Sequence, residues 1–436
     1  MKQLRRFFLF AILCLFLGIA EGMLPRPLWA SSPEMKFRAL FSEICMQVEQ
    51  EFFLPNRVKA LMVEKLDQFR EAAAKASDLD AFGEVVNLFL AELKTSHTAF
   101  FAKDSPEYFQ YLSVFGKLPQ IRKLLGGRDP AYSTIGIYTR KFEGKTFILW
   151  VLDGSPAAKA GLKQGDEIVG VGDLPFHPVR SLQGKVGQPI SLKIRRYATG
   201  KPFSTMVTPA LVNPHQEFLD AELASVRIYS LRGRKIGYIH LWSYAGEDYH
   251  EAFLDEIAGG KLKDADSLIL DLRDGLGGAN PAYLNVFNQN VPVITFTDRQ
   301  GVSNTFDPQW RKPVVLLING RSKSGKEVFA FGFQKFGLGT IIGECSGGAV
   351  TAGKIIPLSD GSLLYVAAAG GPVDGVILEG VGVSPDIEVP MPIPYLAGKD
   401  TQLAKAVEFL SGRGATEVGT GSTSSKIENQ NLREKE

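Results

Sequence analysis

The feature that most constrains the fold is a series of short apolar runs between residues 235 and 390 that alternate with helical stretches. The runs occupy residues 236–241, 267–272, 313–318 and 339–343. Strands that are apolar throughout fit a sheet whose two faces are both covered by helices. We therefore predict an α/β domain as the largest unit of the chain, at residues 213–410.

Two regions of different character precede this domain. In residues 35–95 apolar residues recur at helical spacing, which predicts a helical N-terminal region at residues 31–112. Residues 113–212 contain short apolar strands and the run GSPAAKAGLKQGDEIVGVGDLPF. In that run, Ser155 and Pro156 predict the start of a short helix, and Gly161 predicts its end.

This run resembles the PDZ domains that are attached to bacterial proteases. PDZ domains bind an extended C-terminal peptide by adding it as a strand to a sheet edge. The resemblance therefore implies a peptide-binding site at Ile135, Gly136 and Ile137, with the peptide carboxylate held by the loop before them.

The N-terminus has the features of an export signal. Basic residues at positions 2, 5 and 6 precede an apolar run at residues 7–20, which is short for a membrane span. We predict a signal peptide at residues 1–30 and export to the periplasm or another extracytoplasmic space. Loose membrane association through an uncleaved N-terminus is the alternative. The tail at residues 411–436 is rich in small and charged residues, which predicts disorder.

Composition excludes several classes of function. The formal net charge is +2 and no long basic run occurs, which argues against nucleic-acid binding. The histidines and cysteines lack zinc spacing, and no phosphate-binding loop follows a strand, so we expect neither a metal nor a cofactor. Cys45 and Cys345 are far apart in sequence, and we expect two buried free thiols rather than a disulfide.

Ser324 lies where the apolar strand at residues 314–318 turns into a predicted helix. Unpaired N–H groups and the dipole at a helix N-terminus favour negative charge, as the oxyanion beside an acyl-transfer nucleophile requires. Ser324 and Glu327 also match a capping box, and on their own they favour that structural interpretation. A second turn, at residues 271–278, carries three glycines that allow close approach of backbone N–H groups to a ligand.

The order of these motifs resembles the C-terminal processing and tricorn-like serine peptidases, family S41. The resemblance rests on LILDLRDGLGG, VLLINGRSKSGKEVFA, GTIIGECSGGAV and DGVILEGVGVSPDIEV, which follow the helical region and the PDZ insert. It implies an α/β core of the crotonase-like (ClpP/crotonase) fold and peptidase activity toward protein or peptide C-termini. It also implies Ser324 as nucleophile, with an oxyanion hole from the N–H groups of Gly325 and of Gly277 or Gly278.

The base needs a separate argument because the lysine that many relatives use is replaced by Ala349. A serine hydroxyl requires a base near neutral pH, and histidine is the obvious alternative. The resemblance implies that Ser96 and His97 match the Ser-His pair of tricorn-like members and that Glu379 matches their glutamate. The predicted tetrad is Ser324, His97, Ser96 and Glu379, in which Glu379 holds Ser96 and Ser96 orients His97.

The remaining histidines suit the role of base less well. His177 lies in the PDZ-like region, His215 in a predicted linker, His240 within a strand pattern and His250 at a polar helical start.

Three alternatives stay open at this point. The chain could be a Ser–Lys protease in which Lys354 supplies a shifted base. It could be a catalytically silent PDZ-containing peptide-binding or scaffold protein, which the missing lysine would explain. It could also be a retinoid- or lipid-binding relative of the kind found in the interphotoreceptor retinoid-binding proteins, although the PDZ-like region and the Ser-His pair disfavour this interpretation.

Overall fold

The computed structural model describes residues 33–307 and 309–412. The predicted signal peptide lies outside these residues, as does the predicted disordered tail from residue 413 onward. None of the helices in the described ranges combines the length and apolar character that crossing a membrane requires.

The chain begins with helices around an aromatic-rich core. They are α1 (Pro33–Glu51), α2 (Pro55–Ala74) and α3 (Leu79–Ala91), followed by β1 (Ala99–Phe101), α4 (Pro106–Val114) and α5 (Pro119–Leu124). The Asp78 side chain accepts a hydrogen bond from the Ala81 N–H and so caps α3. Phe41, Phe82 and Phe89 are completely buried between the helices.

Strands from late in the chain complete this helical region. β1 pairs antiparallel with β17 (Leu363–Ala369), and β17 pairs with β16 (Ala352–Pro357). Leu364 and Val366 of β17 belong to the same hydrophobic core as Phe41. This pairing explains how Ser96 and His97, which directly precede β1, come to lie beside residues near position 350.

The PDZ-like region forms a separate sheet. Its strands are β3 (Ile137–Phe142), β4 (Lys145–Val151), β5 (Glu167–Val171), β6 (Ile190–Arg195) and β7 (Phe203–Val207), in that spatial order, with α6 (Pro156–Lys159) between β4 and β5. β2 (Tyr132–Thr134) and β8 (Ala210–Val212) pair where the chain enters and leaves it. Ser155 caps α6, and Gly161 follows it with a φ of +74°, so the predicted limits of this helix are confirmed.

The largest unit is built on a mainly parallel sheet. It comprises α7 (Pro214–Ser225), β9 (Arg227–Leu231), β10 (Arg234–His240), α8 (Glu247–Ala258), β11 (Ser267–Asp271), a 3-10 helix (Pro281–Phe287), β12 (Ile294–Thr297), β13 (Ser303–Phe306), β14 (Val314–Ile318), α9 (Gly325–Lys335), β15 (Thr340–Gly343), β18 (Ile387–Glu388) and α10 (Thr401–Ser411). The sheet order is β18-β15-β14-β11-β10-β9, and β9 is antiparallel to β10.

Both faces of this sheet are covered, as its apolar strands predicted. On one face, Phe253 of α8 and Phe329 of α9 pack against sheet residues such as Leu316. On the other face, Ala406 and Leu410 of α10 pack against residues that include Leu317. The carboxyl ends of β11 and β14 lie side by side, which brings the two turns singled out in the sequence to the same edge.

Two predictions are wrong in detail. His215 is the second residue of α7 rather than part of a linker. Cys45 and Cys345 are both free thiols, but Cys345 is exposed, because it lies in the loop after β15 rather than within a strand. Cys45 is buried, and this burial raises the pKa of its thiol to about 12.

Candidate active site

Ser324 lies at the turn between β14 and α9. Its backbone φ is +59° and its ψ is −131°, a combination that residues with side chains rarely adopt. Strain of this kind typically costs about 1–3 kcal/mol and concentrates at functional sites. The Ser324 N–H donates to the carbonyl of Ala349 at 2.7 Å, so the turn is anchored to the segment that follows β15.

The buried carboxylate of Glu327 strengthens this anchor. Its Oε1 accepts from the Ser346 hydroxyl at 2.6 Å and from the Gly348 N–H at 2.7 Å. Its Oε2 accepts from the N–H groups of Ala349 at 2.6 Å and Ser324 at 3.2 Å. The glutamate part of the predicted capping box is therefore present, and the same carboxylate also joins α9 to another segment. Ala349 contributes its backbone N–H and carbonyl to this turn.

The glycine turn after β11 packs directly against Ser324. A Cβ atom on Gly277 would lie 2.6 Å from the Cβ of Ser324, and one on Gly325 would lie 2.4 Å from the backbone nitrogen of Ala279. Such contacts leave room only for glycine at these two positions.

Unpaired backbone N–H groups surround this contact. Within the described part of the chain, the N–H groups of Gly277 and Gly278 donate to no acceptor. The N–H of Gly325 lies at the first position of α9, where a helix provides no internal acceptor. These N–H groups are available to an oxyanion beside Ser324.

Ser96, His97 and Glu379 form a hydrogen-bonded chain, although 283 positions separate Ser96 from Glu379. Glu379 Oε1 accepts from the Ser96 N–H at 2.7 Å, and Oε2 accepts from the Ser96 hydroxyl at 2.9 Å. Ser96 Oγ lies 2.9 Å from Nδ1 of His97. Glu379 Oε2 also accepts from the Val350 N–H at 2.8 Å, which fixes the carboxylate.

The direction of these bonds determines the His97 tautomer. A carboxylate only accepts, so the single hydroxyl hydrogen of Ser96 points to Glu379. Ser96 Oγ must then accept from His97 Nδ1–H, which leaves Nε2 with an unshared electron pair. Burial lowers the pKa of His97 below its usual value; the charge of Glu379 opposes this shift and that of Lys323 adds to it. The lowered pKa favours the neutral imidazole, and in this tautomer Nε2 can accept a proton.

Thr351 also belongs to this cluster, although no motif in the sequence identifies it. Its N–H donates to Glu379 Oε2 at 3.2 Å, and its hydroxyl lies 2.8 Å from Ser96 Oγ and 3.4 Å from His97 Nδ1. Thr351 follows Ala349 by two residues, so this short segment connects the Ser324 turn to the His97 cluster. Its position beside the GECSGGAV motif was the one sequence signal that could have suggested it.

The two candidate bases have different surroundings. Among the described residues no hydrogen bond joins His97 to Ser324, and such bonds are often loose before a substrate is bound. Lys354 lies in β16, where its Nζ is 2.6 Å from Glu51 Oε1 of α1. Lys354 is thus engaged in an ion pair with the helical region.

Two other histidines are packed against aromatic rings. His240 is buried and stacks on Trp242 with 3.6 Å between ring centroids, while its Nε2 is 2.8 Å from the Arg273 carbonyl. His250 stacks on Tyr283 at 3.9 Å, and burial lowers its pKa to about 4. These contacts give both residues a packing role.

His177 lies where the PDZ-like region meets the helical region. Ligand atoms of Asp80, Asp104 and His177 lie within 4.8 Å of one another. The Arg180 guanidinium donates to both carboxylates. A cationic side chain therefore already occupies the space between these acids.

The predicted peptide-binding loop is closely integrated into the PDZ-like domain. Ile135 and Ile137 are buried in its core, and the Gly136 N–H donates to the Thr134 hydroxyl at 3.0 Å. β3, which begins at Ile137, is an edge strand of the described sheet. The isoleucine side chains thus shape the domain, and the peptide-binding role of this loop stays a prediction.

Comparison with known proteins supplies independent information. The model of peptidase family S41 matches residues 235–389, and a PDZ domain model matches residues 147–196. A carboxy-terminal-processing protease of Bartonella bacilliformis is 30% identical over 296 residues, which cover 62% of this chain and 65% of that protein. The carboxy-terminal processing protease CtpB of Bacillus subtilis is 27% identical over 301 residues, which cover 66% of this chain and 61% of that protein.

These matched segments span slightly less than two thirds of the curated relatives. Among solved structures, the tricorn protease superposes with a TM-score of 0.52 at 19% sequence identity, over 87% of this chain and 37% of that one. This likeness shows a shared mixed α/β fold. The chain is therefore similar to peptidase family S41 over residues 235–389 and to PDZ domains over residues 147–196.

Proposed function

We propose that this chain is a serine endopeptidase that cleaves protein or peptide substrates near their C-termini, with Ser324 as nucleophile and His97 as base. The observation that carries the proposal is the hydrogen-bonded chain from Glu379 through Ser96 to His97 Nδ1. It leaves Nε2 as a proton acceptor in a protein whose Ser324 lies at a helix N-terminus. The names of the curated relatives, which are carboxy-terminal processing proteases, support the same reaction.

The chemistry proceeds through an acyl-enzyme. Ser324 Oγ attacks the scissile carbonyl while its proton moves to His97 Nε2. The imidazolium that forms donates from Nδ1 to Ser96, which in turn donates to the Glu379 carboxylate, so that negative charge supports the developing positive charge. His97 then gives its proton to the leaving amine. Water then attacks the acyl-enzyme carbonyl and loses a proton to His97 Nε2. The bond between Ser324 Oγ and the acyl carbon breaks, His97 returns the proton to Ser324 Oγ, and the new C-terminus is released.

The oxyanion of each tetrahedral intermediate is placed beside the unpaired N–H groups of Gly277, Gly278 and Gly325. Preorganised donors of this kind contribute strongly, since loss of one donor typically lowers kcat about 10²–10³-fold. The N-terminus of α9 adds a favourable dipole.

The core at residues 213–410 is crotonase-like, the helical region at 31–112 supplies the base, and the PDZ-like domain at 113–212 recruits substrate. The open edge of β3 is suited to adding a substrate C-terminus as a strand. An N-terminal signal directs the protein out of the cytoplasm, and its substrates are proteins or peptides in the extracytoplasmic space.

The test is cleavage of a peptide with a free C-terminus by wild type, Ser324→Ala and His97→Ala. We expect no cleavage with Ser324→Ala and a loss of about 10²–10⁴-fold in kcat with His97→Ala, the range for removal of a general base. Unchanged circular dichroism spectra would show that both variants are folded.

Lys354→Ala is the control that separates the two candidate bases. Its ammonium pairs with the Glu51 carboxylate, and an exposed ion pair contributes about 0–1 kcal/mol, so activity should stay within about twofold. An inactive Lys354→Ala together with an active His97→Ala would establish the Ser–Lys alternative. A wild type that cleaves no peptide and reacts with no serine-directed reagent would favour the silent scaffold.

A further inference from the structure

Lys326, two residues after Ser324, has a completely buried side chain. Its Nζ donates to the main-chain carbonyl of Asp274 at 2.9 Å and lies 3.4 Å from the carbonyl of Trp242. Both acceptors are backbone groups. Burial lowers the pKa of Lys326 to about 7, against the opposing charges of Asp271, Asp274 and Glu222.

The two carbonyls belong to the structure that shapes the glycine turn. The Trp242 carbonyl also accepts from the Leu276 N–H at 2.9 Å. A Cβ atom on Gly275 would lie 1.7 Å from the same oxygen, so the turn is wrapped closely around it. Asp274 precedes this glycine with a φ of +56°, and the Lys326 ammonium holds its carbonyl. The side chain therefore links α9 to the turn that carries Gly277 and Gly278.

Packing alone gives no reason for a lysine at this place. A buried ammonium is costly, and an apolar side chain of similar volume is often neutral or stabilising in such a position. The buried acid that faces it from α7, Glu222, makes no side-chain hydrogen bond with either oxygen within the described residues. Burial raises the pKa of Glu222 well above its usual range. The Lys326 ammonium is thus held mainly by the main-chain carbonyls of Asp274 and Trp242.

We propose that Lys326 is a positioning residue that fixes the glycine turn relative to Ser324 and so sets the geometry of the oxyanion hole. This inference rests on the proposed peptidase function. Lys326 is not the base, because its hydrogen bonds are made to the two carbonyls and not to the Ser324 hydroxyl. Removal of its ammonium leaves the nucleophile and His97 in place but allows the N–H groups of Gly277 and Gly278 to shift.

The experiment compares Lys326→Met with Lys335→Met. Lys335 lies at the other end of α9, where its exposed side chain pairs with Asp374, so the second variant is a matched control on the same helix. We expect Lys326→Met to lower kcat about 10–100-fold with KM within twofold, since small misplacement of reacting groups has effects of this size. Lys335→Met should match the wild type.

Two further readouts separate positioning from a general structural role. A peptide aldehyde adds to Ser324 Oγ and places its oxygen in the oxyanion hole, whereas the corresponding peptide alcohol cannot form this adduct. Lys326→Met should therefore lose aldehyde affinity by the same factor as kcat and keep its alcohol affinity. Amide hydrogen exchange at residues 272–279 should accelerate, while exchange in the PDZ domain stays unchanged.

The outcomes are distinct. The inference would be overturned if Lys326→Met had the kcat, the aldehyde affinity and the amide hydrogen exchange of the wild type. It would also be overturned if the variant were less stable but its folded form had an unchanged kcat. A large loss of kcat with full aldehyde affinity would make Lys326 a base instead. If Lys326→Met does not fold, Lys326→Gln, which keeps a donor on a shorter side chain, is measured in the same way.

Failure of the proposed function is recognised separately. In that case the wild type itself cleaves no peptide and binds no aldehyde. Amide hydrogen exchange at residues 272–279 then tests whether Lys326 holds the glycine turn. Faster exchange in Lys326→Met would support this role, and unchanged exchange would refute it.

Discussion

Replacing Glu379 by glutamine removes the negative charge at the end of the His97 relay and little else. Glu379 Oε2 accepts from the Ser96 hydroxyl and from the N–H groups of Val350 and Thr351, whereas Oε1 accepts from the Ser96 N–H alone. A glutamine oxygen at the Oε2 position keeps the first set of bonds. Its NH₂ group then faces the Ser96 N–H, so one hydrogen bond and the charge are lost.

The magnitude follows from the distances. Two successive 2.9 Å hydrogen bonds join Glu379 Oε2 to Ser96 Oγ and Ser96 Oγ to His97 Nδ1. The path through Ser96 Oγ sets an upper limit of about 5.8 Å between the two charges, and opposite charges at that distance interact by about 3 kcal/mol at an effective dielectric constant of about 20. Because this attraction exists only when His97 is protonated, as in the transition state, its loss should lower kcat about 100-fold.

The assay is the pH dependence of kcat/KM for a peptide substrate. Activity rises with pH as His97 loses its proton, so the acidic limb reports the pKa of this residue. Burial lowers that pKa and the Glu379 charge partly opposes the shift. In Glu379→Gln this charge no longer raises the His97 pKa, so the acidic limb of the profile should move to lower pH. The maximal kcat/KM at high pH should fall at the same time.

The reasoning would be refuted by an acidic limb that moves to higher pH or by a plateau within about threefold of wild type. Ser96→Ala provides a further check, because it interrupts the same relay. The double variant with Glu379→Gln and Ser96→Ala should therefore have a kcat little lower than that of either single variant, as expected for residues that act as one unit.

Other substitutions test neighbouring parts of the site. Thr351→Val removes a hydroxyl that contacts Ser96 and His97, and it should lower kcat about 3–10-fold, the size of one neutral hydrogen bond, in the same peptide assay. Lys323→Met removes a charge that lowers the His97 pKa, so the acidic limb should move to higher pH, opposite to Glu379→Gln. Gly277→Ala places a Cβ atom 2.6 Å from the Ser324 Cβ and should lower kcat at least about 100-fold. Gly371→Ala, which meets nothing within 4 Å, is its control and should keep full activity.

Much of the fold could be predicted because it depends on local patterns. The apolar strands and the glycine that ends α6 each have a signature in adjacent residues, and the structure confirms them. His215 was misassigned because its asparagine-proline context suggests a turn, although Asn213 and Pro214 in fact begin α7.

Long-range pairing was harder to predict. That β16 and β17 complete the helical region follows from contacts across more than half the chain, and no local pattern encodes them. The grouping of Ser96, His97 and Glu379 was predicted by resemblance, not by spacing. Thr351 and Lys326 escaped notice because their roles come from the hydrogen bonds that the fold brings to them. A hydroxyl in a loop and a lysine in a helix look ordinary in a sequence.

The central claim is that Ser324 is a nucleophile activated by His97. The most direct measurement is reaction with a fluorophosphonate reagent, in which the attacking oxygen displaces fluoride and the modified residue is located by mass spectrometry. We predict a single adduct on Ser324 in wild type and in Lys354→Ala, none in Ser324→Ala, and labelling at least about 100-fold slower in His97→Ala. An adduct on another residue, or undiminished labelling of His97→Ala, would contradict the account.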